Sequence, residues 1–372
     1  MFSRAKLRYV LWSVALLVGA HDLFTCHASA AEAKILHPQP QQVVQRRGFD
    51  PRVAPINDAE GDARGFADVK IVWTSKSDSI EGWQARTILR ELAYGTAVDW
   101  TSLTVVDVDG QRTSTLRVPA GGWYRLELKH VDGESLVVEP FGVGEVFVVA
   151  GQSYAVGAND ELLKVEEPGR RVSTFNWRED KWQIADDPIP HAGPKGSLWP
   201  ALGDMLVPLL RTPVGFVNAA VGGTSTRQWA TDGKLYADLV TAGRKTGEFR
   251  AVLWQQGESD VIEKTPRAEY VSRVKVIRDS AMKAWGIDVP WLPAKSTLHP
   301  TVYRVPAEEE AIRAAIGDLW KLPGFRRGPD TDVLDAENRG GPTTMRHFSG
   351  IGQRRAAQLW FASIWIELHR VD

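Results

Sequence analysis

Two rhythms of hydrophobic and polar positions divide the chain. Between residues 69 and 149 short runs alternate apolar and polar side chains: 69–73 (Val-Lys-Ile-Val-Trp), 103–108, and 123–128 (Trp-Tyr-Arg-Leu-Glu-Leu). A period of two predicts strands with one face buried, and Asp109-Gly110 and Asp132-Gly133 are hairpin-turn signals. Several such strands in about eighty residues predict a small β-sandwich over 66–143. After Glu145 the rhythm changes. Residues 146–150 (Val-Phe-Val-Val-Ala) are apolar without a break, as in a parallel strand covered on both faces. Similar runs recur at 214–217, 251–254 and 289–294, separated by helical periodicity over 197–210, Arg267–Trp285, 307–319 and Gly350–Leu368. Strand alternating with helix predicts an α/β fold with a doubly wound parallel sheet over 144–372. In such sheets ligands bind outside the carboxyl ends of the strands.

The segment 31–65, rich in Pro, Gln and Arg over 34–62, reads as a linker or an irregular first strand. Residues 161–195 show no clear period and hold Trp177, Trp182 and His191; a loop of that length often carries function. Residues 1–30 read as a signal peptide. Arg4, Lys6 and Arg8 precede an apolar run over 9–20, too short to span a membrane, and Ala28-Ser29-Ala30 supplies a cleavage site. The expectation is an exported protein, periplasmic or secreted, with no stable membrane insertion after cleavage. Cys26 is the only cysteine, so the mature chain has no disulfide and no cysteine-ligated metal. Composition adds one exclusion. With 45 Lys plus Arg against 46 Asp plus Glu, no net field draws nucleic acid.

Four segments carry candidate chemistry, each beside a predicted strand end or helix start. Gly151-Gln152-Ser153 follows a buried strand, where a permissive glycine lets the serine project its hydroxyl into the crevice. Asn218-Ala219-Ala220-Val221-Gly222-Gly223-Thr224-Ser225 brings unobstructed backbone N–H groups close to a ligand. Trp254-Gln255-Gln256-Gly257-Glu258-Ser259-Asp260 offers an amide donor at Gln256 and a carboxylate at Glu258. His347-Phe348-Ser349-Gly350 precedes the last helix and supplies the base a serine nucleophile requires. Any one of these is ordinary turn chemistry when taken singly.

Together, and in this order, the four blocks resemble those of the SGNH hydrolases, and within them the sialate O-acetylesterase and acetylxylan-esterase branch. The resemblance runs from about Gly144 to Leu368, and Pro119-Ala120-Gly121-Gly122-Trp123-Tyr124 resembles the sandwich often joined to that branch. It implies a flavodoxin-like three-layer catalytic domain that needs no cofactor or metal. Ser153 is then the nucleophile and His347 the base, with an oxyanion hole from the N–H groups of Ser153 and Gly223 (or Gly222) and the Gln256 amide. The family commonly has an aspartate three residues before the histidine; this chain has Thr344 there. Glu258, which some relatives use, is the expected orienting acid, with Asp332 and Asp335 as alternatives. Tyr154 stands where asparagine is common.

Among 15 tryptophans, Trp177, Trp182, Trp199 and Trp229 fall in or near crevice loops. Indole faces stack well on sugar rings, so Tyr154, Trp177, Trp182 and Trp229 are the expected substrate-binding residues. The expected activity is removal of O-acetyl groups from an acetylated carbohydrate through an acyl-enzyme. Two alternatives are a carbohydrate-binding protein with a degenerate site and a general or lipid esterase of the same fold.

Overall fold

The computed structural model of the chain describes residues 32–51, 64–341 and 345–370. Residues 1–30, expected as a signal peptide, with Cys26, and also Thr344, lie outside the described residues.

One long strand organises the molecule. β9 (Ser135–Gly151) runs for 17 residues, and its burial pattern changes along its length. From Ser135 to Pro140 exposed and buried positions alternate; from there to Gly151 every residue is buried. This is the change of rhythm visible in the sequence, and the strand does not break where it occurs. Its first part pairs antiparallel with β8 (Gly121–His130), which continues to β4 (Trp83–Tyr94) and β5 (Val98–Ser102). β2 (Gln42–Gln45) lies parallel on its middle. A separate sheet of β1 (Ile35–His37), β3 (Phe66–Trp73), β7 (Gln111–Pro119) and β6 (Val106–Val108) supplies the opposite wall of a core that includes Ile71, Trp73, Trp83, Val118, Leu126 and Phe141. At the β6–β7 turn both Asp109 and Gly110 have positive φ, as a two-residue hairpin requires.

The second half of β9 is the centre of a parallel sheet. β12 (Val214–Asn218) pairs with one edge and β13 (Ala251–Gln255) with the other. β10 (Val172–Asn176) extends the sheet beyond β12, followed by antiparallel β11 (Lys181–Ile184), and β14 (Trp291–Ala294) lies beyond β13. Alternate residues of β9 feed different cores. Phe147 and Val149 pack with residues of α2 (Trp199–Leu210) and α7 (Gly350–Leu368). Val146, Val148 and Ala150 join α3 (Lys234–Thr246), α5 (Arg267–Trp285) and α6 (Pro306–Leu319). The sheet is therefore covered on both faces. From β9 the chain runs to β10 and β12 on one side and then crosses over to β13 and β14 on the other, the change of direction that places a crevice at the carboxyl end of β9. The 161–195 region carries β10 and β11 instead of one long loop.

Candidate active site

Ser153 sits at the carboxyl end of β9, as the first residue of the short helix α1 (Ser153–Val156). The turn that presents it requires glycine. Gly151 has φ +127, and a Cβ there would lie 2.0 Å from the Gln255 carbonyl oxygen. The end of β13 and the loop after β12 clamp the turn: Gln152 N–H donates to Gln255 O at 2.9 Å, and Val221 N–H donates to Gly151 O at 3.0 Å. As the first helical residue, Ser153 has an N–H with no intrahelical acceptor. Gly222 faces it, and a Cβ built on Gly222 would stand 3.8 Å from Ser153 Cβ. Among the described residues no backbone acceptor takes the N–H of Gly222 or Gly223. The structure thus brings the candidate nucleophile, with its own free N–H, beside Gly222, whose N–H is a second backbone donor suited to an oxyanion.

Gln256 is placed otherwise than expected. Its amide nitrogen donates to Asp260 Oδ2 at 2.5 Å and to Thr224 O at 3.1 Å, with Gln152 Oε1 at 3.3 Å. An amide has two N–H groups, so none remains for an oxyanion. Gln256 instead ties the second block to the third. Asp260 completes that tie by accepting from Thr226 N and Oγ1 at 2.7 and 2.6 Å. Gln152, not singled out from the sequence, accepts from Gly257 N and Ser259 N.

His347 lies beside the nucleophile turn. Its ring meets that of Tyr154 edge-on, with centroids 5.2 Å apart, and that of His299 at 6.3 Å. His347 Nε2 is buried and makes no hydrogen bond among the described residues. None of the three expected acids is bonded to it. Glu258, fully enclosed at the start of α4 (Glu258–Ile262), accepts a hydrogen bond from Ser296 Oγ, and its Oε2 has no partner among the described residues. Asp332 is committed to Arg313 and to Thr297 and Leu298, which all donate to it. Asp335 is exposed and caps Ala336 N.

The electrostatics follow from burial and from an excess of cations. Burial lowers the His347 pKa to about 3, reinforced by Arg346, His299, Lys195 and Arg339. Burial pushes Glu258 up to about 8, against the pull of Ser296. A base with so low a pKa stays neutral through the mildly acidic range, so with Glu258 outside the mechanism kcat/KM on a small acetyl ester should change less than about threefold between pH 5 and pH 7.5, whereas a need for the Glu258 carboxylate would make it rise steeply toward pH 8. A pH profile with its acid limb near the ordinary histidine value of 6.5 would contradict this environment for His347.

The aromatic residues expected to bind substrate are a correction. Tyr154 is 1% exposed, with its hydroxyl occupied by the Arg346 and Leu298 carbonyls. Trp182 stacks on Phe175, and Trp229 is wholly enclosed and donates to Thr224 Oγ1. Trp177 donates to Asn218 O and also belongs to the core. Apolar area on a sheet face draws indoles inward, and composition alone cannot give their direction. Among the described residues, no group of three or more His, Cys, Asp or Glu is placed to hold a metal ion. Nor is any helix among them long and apolar enough to cross a membrane.

Residues 143–296 match the family model described as carbohydrate esterase, sialic acid-specific acetylesterase. This span holds the first three blocks; His347 lies beyond it. A curated protein of Arabidopsis thaliana, named a probable carbohydrate esterase, is 26% identical over 34% of this chain and 58% of its own length. The chain thus spans little more than half of that relative. The solved structure of a carbohydrate acetylesterase from Xanthomonas citri superposes with a TM-score of 0.52 at 16% identity, covering 88% of this chain and 73% of that one. At that identity the likeness is one of fold.

Proposed function

We propose that this chain, whose residues 143–296 match the family model described as carbohydrate esterase, sialic acid-specific acetylesterase, is an exported serine esterase that removes O-acetyl groups from a carbohydrate. The observation that carries the reading is the placement at one strand end of Ser153 with Gly222 facing it, beside His347, whose ring meets that of Tyr154 and whose Nε2 has no partner among the described residues. In this reading Ser153 Oγ attacks the acetyl carbonyl while His347 Nε2 takes its proton. The N–H groups of Ser153 and of Gly222 or Gly223 hold the developing oxyanion. The intermediate collapses, His347 returns the proton to the departing sugar oxygen, and acetyl-Ser153 remains. Water deprotonated by His347 then releases acetate. Export rests on the basic, apolar and small-residue pattern of residues 1–30.

The test is acetate release by the mature protein from acetylated oligosaccharides against long-chain acyl esters. Preference for acetyl on sugar supports the reading; equal or better turnover of long acyl chains favours a general or lipid esterase. One observation favours a sugar-binding protein without turnover: among the described residues no carboxylate is bonded to His347. Glu258→Gln addresses it. If the Glu258 carboxylate swings to the imidazole during turnover, this change lowers kcat about 100-fold or more, the cost of losing a correctly oriented base. Wild-type kcat in Glu258→Gln would remove Glu258 from the mechanism.

A further inference from the structure

Tyr154 departs from the family pattern, follows the nucleophile directly, and is not available to substrate. Its contacts are to the base instead. The phenol oxygen lies 2.6 Å from the carbonyl oxygen of Arg346 and 3.2 Å from that of Leu298, and it accepts a hydrogen bond from Arg339 Nη1. Its ring touches His347 edge-on and packs on Phe348 at 4.5 Å between centroids. One side chain therefore grips the residues before and after His347 and the imidazole itself. Arg339 is 6% exposed and is fixed in turn by donating to Leu334 O. Further tethers on the segment are Gly340 N–H to His347 O at 2.7 Å, Asp160 N–H to Phe348 O at 3.1 Å, Phe348 N–H to Asn159 Oδ1 at 3.2 Å and Arg346 Nε–H to His299 Nε2 at 2.9 Å. Resting on the reading of Ser153 and His347 as nucleophile and base, we propose that Tyr154 and Arg339 are positioning residues for His347. By donating to the Arg346 carbonyl while accepting from Arg339, the phenol holds the backbone of the base against the turn of the nucleophile. In a Ser-His-acid site a carboxylate orients the imidazole from the side chain; here the hold is on the backbone.

The experiment compares wild type with Ser153→Ala, Tyr154→Phe, Arg339→Met and Arg339→Lys on one small acetyl ester. The rate and final stoichiometry of Ser153 labelling by a fluorophosphonate are also measured. Tyr154→Phe keeps the ring and loses the hydroxyl. Its kcat should fall 10- to 100-fold with KM within about twofold, since misplacing a reacting group by about 1 Å can cost 100-fold. Labelling should slow in parallel yet still reach one per chain, which a merely structural loss of folded protein would not give. Should Tyr154→Phe fail to fold, Arg339→Met carries the same test: kcat falls at least 10-fold, with partial recovery in Arg339→Lys. Near-wild-type kcat in Tyr154→Phe or Arg339→Met, with Ser153→Ala inactive, overturns the positioning role alone. Turnover that survives Ser153→Ala overturns the reading of the nucleophile, and the positioning role with it.

Discussion

Ser153→Ala should lower acetyl-ester turnover by at least about 10⁴-fold while leaving the protein folded, because removal of the nucleophile leaves only binding and the oxyanion donors. The fold gives reason to expect intact structure. Ser153 is 8% exposed, at the start of a four-residue helix, and the clamps on its turn are backbone hydrogen bonds of Gln152 and Val221. Alanine preserves every one of them. His347→Ala should cost a similar factor, and the double variant should lose little more, since two residues that act as one unit are not additive. Steady-state rates of acetate release, with melting curves for each variant, provide the check. Independent, multiplying losses would mean that the serine and the histidine do not share a step.

The legibility of this chain varies with the range of the interaction involved. Helices Arg267–Trp285 and Gly350–Leu368 were readable to the residue, because their periodicity and the glycine or serine at an end are local signals. The Gly151-Gln152-Ser153 turn was readable for the same reason. Lys234–Thr246 was not read as a helix, although Leu235, Leu239 and Ala242 recur at helical spacing; its short apolar stripe is set among charged residues, and burial of Leu239 and Ala242 against the sheet selects the helix. Strands Val172–Asn176 and Lys181–Ile184 were read as loop, since their hydrogen bonds to each other and to Val214–Phe216 decide their conformation. The site divides likewise. The proposed nucleophile Ser153, the proposed glycine donors and His347 announce themselves as short motifs. The Arg339–Tyr154 contact joins positions 185 residues apart and leaves no trace in either neighbourhood. Gln256 stood in the expected motif, yet the direction of its amide is set by Asp260 and Thr224, and a motif does not encode direction.

A charge asymmetry within the site bears on rate. The groups that act on His347 beyond burial include Arg346, Lys195 and Arg339, all cationic, so the imidazolium formed during attack gains nothing from its surroundings. The same surroundings keep the imidazole neutral and competent as a base at low pH. Such a site trades transition-state support for a wide acidic working range, unless Glu258 loses its proton and turns toward the ring. Glu258→Gln and the pH profile therefore address one question from two sides.

Near the middle of the same strand β9, Glu145→Ala should destabilise the protein by about 3–5 kcal/mol without changing kcat, because it leaves a buried cation without its counter-ion. Glu145 is wholly buried and accepts from Arg46 Nε at 2.6 Å, Arg250 Nε at 2.7 Å, Arg250 Nη2 at 3.0 Å and Gln45 Nε2 at 2.9 Å. The Arg46 side chain has no exposed surface. This cluster joins β2 and the approach to β13 to the midpoint of β9, where the strand passes from one sheet partner to the next. Burial opposes the Glu145 charge, yet Arg250 and Arg46 hold its pKa down to about 2, against 4.5 for the ordinary carboxyl. A depressed folded-state pKa contributes stability that is complete above the unfolded value and is lost as pH falls through the folded one. Wild type should therefore lose this part of its stability between about pH 4.5 and pH 2, and Glu145→Ala should show a flatter dependence there. Chemical denaturation at pH 7 and pH 3 measures both. Equal stability of the two proteins at pH 7 would mean that the cluster merely balances its own desolvation, and that β9 is held by its strand pairing and apolar packing.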